Sequence, residues 1–171
     1  MKTVITVHTQ LDKALLTKAV KEILNTNTFV KYAYILGIVL IVFSLILFVY
    51  VFQVQSYAPM IGIFCGTFLI FFKNLMAYFS VQKLGADNIA YESITYNFSG
   101  KEIDIKGETF TAQLFWENIR KVSETKEFIL IFQNSLAANI VPKASFSNIQ
   151  LEQFRSLMKL IEVIEFDEYD N

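Results

Sequence analysis

The stretch YAYILGIVLIVFSLILFVYVFQVQSYAPMIGIFCGTFLIFF, residues 32–72, contains no Asp, Glu, Lys, Arg or His, and Lys31 and Lys73 stand at its two borders. One helical crossing of a hydrocarbon core about 30 Å thick takes ~20 apolar residues, so the run suffices for two. Its one polar interval, Gln53-Val54-Gln55-Ser56-Tyr57-Ala58-Pro59, falls near the middle. Pro59 stands where a second helix would open. Proline costs little in a first helical turn, because the N–H it lacks would have found no partner there. The pattern predicts a two-helix transmembrane hairpin over residues 32–84.

Charges on either side orient that hairpin. Lys2, Lys13, Lys18, Lys21 and Lys31 precede it, Lys73 and Lys83 follow the charge-free run, and the connecting loop carries none. Positive flanks stay on the cytoplasmic side, which predicts both termini inside. Residues 1–8 are too short and too polar for the apolar region of a secretory signal, so the first helix is expected to remain as an uncleaved anchor. The single cysteine, Cys65, lies in the second span and reads as a small apolar packing residue. With one cysteine no disulfide can form within the chain, in keeping with a soluble part in a reducing cytosol. Ala58, Gly62 and Gly66 recur four apart, the spacing that lets helix backbones approach closely in lipid. That face either packs on the first helix of the hairpin or forms a homodimer contact, so a homo-oligomer stands among the expected assemblies.

Before the hairpin, residues 1–31 read as a strand and an amphipathic helix. Thr3 to His8 alternates loosely as a short strand. A helix is predicted from about Gln10 to Asn25, with Thr9 as its cap and Asp12 three residues on as an acidic capping-box partner. Leu11, Leu15, Leu16, Ala19, Val20, Ile23 and Leu24 form an apolar stripe about half the helix wide, with Lys13, Lys18 and Lys21 outside it. The stripe either packs on the soluble domain or lies in the membrane interface.

After the hairpin the period changes to two. Ile94, Tyr96 and Phe98 alternate, then Ile103 and Ile105, then Phe110, Ala112 and Leu114, with turns at Ser99-Gly100-Lys101 and Lys106-Gly107-Glu108. Phe128-Ile129-Leu130-Ile131-Phe132 is continuously apolar, and Leu136 to Val141 forms a further strand halted by Pro142. Such spacing predicts an antiparallel sheet of five or six strands. Ser147 and Gln150 then form a capping box ahead of Phe154, Leu157, Met158 and Ile161, a closing amphipathic helix. The fold class is therefore α+β: a transmembrane hairpin plus a cytosolic antiparallel sheet with a C-terminal helix, in the order of a pleckstrin-homology (PH)-like barrel. The soluble module spans residues 85–165, followed by an acidic tail at 166–171.

Residues 85–171 carry eight basic and fourteen acidic side chains, a net charge of −6. Nucleic-acid binding modules lean the other way, so no nucleic-acid partner is expected. No metal-ligand spacing, Gly-rich phosphate loop, HExxH or GxSxG occurs, and the only His is His8. The expectation is no enzymatic activity, no cofactor and no metal. Glu102 and Asp104 alternate with Ile103 and read as solvated carboxylates. Trp116 reads as a core residue whose N–H reaches a carbonyl. Lys101, Lys106, Arg120 and Lys121 are the candidate interaction surface; gathered on one face near the bilayer, they would favour an anionic lipid headgroup over a protein.

Phe115-Trp116-Glu117-Asn118-Ile119 with Val122, then Phe128-Ile129-Leu130-Ile131, then Ile140-Val141-Pro142-Lys143-Ala144-Ser145-Phe146 resembles the YcxB-like family of bacterial membrane proteins. The motif residues here are Trp116, Ile119, Val122, Pro142, Lys143 and Phe146, with Val141 where the family has Ile. Residues 89–96 are similar to the strands that precede this motif, so the likeness is read across essentially the whole chain. The resemblance implies a bacterial inner-membrane protein with a PH-like cytosolic domain and implies no reaction. The expected role is protein–protein recognition or scaffolding beside the membrane, with an unidentified protein partner. A lipid-headgroup module or an accessory subunit of a transport complex is the alternative.

Overall fold

The computed structural model describes residues 4–50, 57–86, 89–134, 137–161 and 165–167. Among the described residues, eight strands form two four-stranded sheets. The first holds β1 (Ile5–Gln10), β2 (Ser93–Phe98), β3 (Glu102–Lys106) and β4 (Thr111–Phe115) in that order, all antiparallel. The second runs β7 (Ala138–Pro142), β6 (Phe128–Phe132), β5 (Lys121–Glu124) and β8 (Glu165–Asp167). Its β5–β8 pair is parallel, which the single antiparallel sheet read from the sequence did not include.

The described residues also form four α-helices: α1 (Lys13–Thr26), α2 (Thr28–Tyr50), α3 (Ala58–Gly85) and α4 (Asn148–Leu160). Both α2 and α3 are long and apolar enough to cross a membrane. Pro59 lies in the first turn of α3, as its chemistry requires, while Gln53 to Ser56 and Leu136 fall outside the described residues. At 1.5 Å per residue, α3 is about 42 Å long, so its last turns continue well beyond Lys73.

Alternation places one face of each sheet in a common core. Ile5 and Val7, Tyr96 and Phe98, Ile103 and Ile105 meet Val122, Ile129, Ile131 and Val141, and Phe154 and Met158 of α4 close the end. Phe98, Phe146 and Phe154 pack ring against ring at centroid separations of 5.0–6.2 Å. Ala112 shares this face but stays exposed, because β4 lies at the margin of its sheet. The capping box of α4 forms in full: Ser147 Oγ accepts from Gln150 N and Gln150 Oε1 accepts from Ser147 N.

β6 is apolar throughout because both its faces are covered. Ile129 and Ile131 face the core, while Phe128, Leu130 and Phe132 pack outward on Ala19 of α1, with Leu15 and Ile23 alongside. On its other side α1 lays Leu16 and Val20 against Ala77 and Val81 of α3. The wide apolar stripe thus serves two neighbours and is not turned to a membrane surface. Burying each Leu or Val of this kind contributes about 1.5–3 kcal/mol. The helix begins later than the sequence suggested. β1 runs on through Thr9 to Gln10, and Asp12 is the cap, accepting from Leu15 N at 2.7 Å.

β1 precedes the helical hairpin in the chain and β2 follows it, yet the two pair from Ile5↔Phe98 to Gln10↔Ser93. Residues 1–31 therefore do not stand apart from the module that begins after residue 85. The division is one of chain order and not of packing.

Candidate functional site

One motif residue, Lys143, takes part in a buried ion cluster centred on Glu124. The Glu124 side chain, at the end of β5, has no exposed surface, and two cations converge on it. Arg155 of α4 donates to it through Nε at 3.0 Å and Nη2 at 2.6 Å. Lys143, in the helical turn after β7, donates to Glu124 Oε1 and to the Thr125 carbonyl. Desolvation, the largest effect on this carboxyl, acts to raise its pKa. The hydrogen bonds and charges of Arg155 and Lys143 together outweigh it and hold the group below its ordinary range. Lys143, read from the sequence as an ordinary cation, ties the Pro142-Lys143 segment to β5 and α4.

Trp116 is buried, as expected, but sits in a helical turn (Trp116–Asn118) after β4 and not on a strand. Its Nε1 donates to the Ser99 carbonyl at 2.7 Å. Ile119, Val122 and Phe146 all lie in the core between the sheets. Gly62 and Gly66 face α2. A Cβ at Gly66 would stand 2.7 Å from the Gly37 carbonyl oxygen, and one at Gly62 would strike Ser44 Oγ. Within the chain, this face is the seam of the hairpin, with Gly37 and Ser44 as partners that sequence spacing did not identify. Ala58 is exposed, and so is Cys65.

The four candidate surface cations do not form one patch. Lys101 lies in the β2–β3 turn and Lys106 at the far end of β3. Arg120 and Lys121 line a cavity of about 380 Å³ with Thr26, Asn27, Thr28, Phe132 and Asn134, beside the elbow between α1 and α2. Across that elbow lies a second cavity of about 500 Å³, walled by α2 and α3 and reached by Asn25. The two lysines of this second cavity, Lys31 and Lys73, are the charges that border the charge-free run.

At the opposite margin of the first sheet, β4 is terminal among the described residues, with four of its five side chains exposed. Thr111-Ala112-Gln113-Leu114-Phe115 carries no charge and no proline, the two devices that commonly blunt an edge strand. The edge at β1 is different, because Gln150 of α4 donates to the Thr6 carbonyl there at 2.9 Å. The turn feeding β4 is fixed by Glu92, whose carboxylate accepts from Thr109 Oγ1, Thr109 N and Glu108 N. The Thr109 hydroxyl, foremost among these, holds the Glu92 pKa below its usual value.

Among the described residues no three His, Cys, Asp or Glu side chains gather as metal ligands. The family model of YcxB-like proteins matches residues 98–158, from the end of β2 into α4. All six motif residues fall inside that span. The likeness read over the whole chain is thus carried by this stretch, without the hairpin. No curated protein and no solved structure matches the chain.

Proposed function

We propose that this chain is a non-catalytic recognition module anchored in the inner membrane of a bacterium by α2 and α3. Its PH-like two-sheet unit faces the cytosol and docks a protein partner by strand addition at β4. The observation carrying this reading is the uncharged, proline-free edge of β4, whose outer ladder is unpaired among the described residues and which presents the exposed ring of Phe115. Strand order and the closing helix α4 support the PH-like assignment, and flanking lysines support the orientation.

Photo-crosslinking in native membranes from positions 112 and 113 tests the reading. A discrete protein adduct, lost when Gln113→Lys places a charge on the edge, is the expected result. Lipid adducts without protein would replace it with a headgroup-binding module.

A further inference from the structure

The cavity between α2 and α3 is graded along both walls in the same direction. On α2, Lys31 stands at the rim, with Tyr34 and Ile35 one turn deeper; on α3, Lys73 and Asn74 stand at the rim, with Leu69 and Ile70 one turn deeper. The helices run antiparallel, so these two gradients match only because the sequence reverses polarity between them. Deeper still, Gly37 and Gly66 bring the backbones together. Asn25 of α1 overhangs the rim and accepts from Lys73 Nζ at 2.9 Å. Neither lysine meets a carboxylate among the described residues.

We propose that this groove holds one anionic phospholipid of the surrounding bilayer. Its phosphate lies between Lys31 and Lys73, its remaining headgroup oxygens face the Asn25 and Asn74 amides, and an acyl chain descends along Tyr34, Ile35, Leu69 and Ile70. Cationic pockets between helices at the cytosolic surface bind anionic headgroups for this reason. A volume of about 500 Å³ takes a headgroup and the first chain carbons. Charge complementarity and depth favour a lipid over a soluble anion, which would leave the apolar wall uncovered. The inference rests on the membrane-spanning part of the proposed function and not on the β4 edge.

The full chain, purified in detergent, is titrated with phosphatidylglycerol and phosphatidylcholine and read by native mass spectrometry. One phosphatidylglycerol is expected to bind in preference to phosphatidylcholine. Lys31→Gln with Lys73→Gln should weaken it roughly ten- to thirty-fold, whereas Lys31→Arg with Lys73→Arg should retain it. Lys101→Gln with Lys106→Gln, outside the groove, should leave it unchanged. Equal binding of both lipids, a preference that survives the double Gln substitution, or displacement by inorganic phosphate alone would each overturn the proposal. Release of the chain from membranes by alkaline carbonate would overturn the membrane reading itself. Retention without lipid preference would overturn only the groove.

Discussion

Glu124 shows how a single buried charge can organise three elements. Removing one member of a buried ion cluster costs about 3–5 kcal/mol, because the partners are left desolvated and unpaired. Glu124→Gln should therefore lower stability by an amount of that order in chemical unfolding of the full chain. Acid should act on the same group. Its folded pKa lies below the ordinary value of 4.5, so its stabilisation is complete above that pH and is lost as pH falls through the lower folded value. Unfolding followed between pH 6 and pH 3 should show a loss that Glu124→Gln lacks. Little of this was legible in the sequence. Glu124 looks like any strand-end carboxylate until Arg155, thirty-one positions later, folds over it.

Elements were more readable than sites, for a physical reason. The hairpin, the alternating strands and the cap of α4 are each encoded within a few residues, and period, proline and capping chemistry suffice to find them. The start of α1 was misplaced because Thr9 and Asp12 both suit a cap, and pairing of β1 with β2 decided between them. The stripe on α1 was visible, but its two neighbours were not. Leu16→Ala, at a residue with almost no exposed surface, should cost about 2–5 kcal/mol. Amide exchange should then rise across α1 and β6 while the α2–α3 contact stays protected. Gly66→Ala would press a methyl group toward the Gly37 backbone, which cannot rotate away as a side chain can. The hairpin should loosen by about 1–3 kcal/mol, seen as a lower melting temperature in detergent. A change confined to oligomeric state would instead assign that face to a dimer.

At the scale of the whole molecule, α1 packs on the two-sheet unit through β6 and on the far end of α3 through Ala77 and Val81. The proposed docking edge at β4 and the proposed lipid site between α2 and α3 share no residues, so strand addition at one need not disturb the other. No linker-like segment rich in Gly or Pro suggested a hinge, but the packed junction depends on contacts between residues some sixty positions apart, such as Leu16 and Ala77, which no local pattern reports. A different consequence follows from the hairpin being spliced between β1 and β2. In the proposed bilayer, a chain that crossed an odd number of times would strand Ile5–Gln10 on the side opposite Ser93–Phe98, and the sheet could never close. Only an even count of passes lets the first sheet form, and a mis-threaded copy would leave β2 without its β1 neighbour.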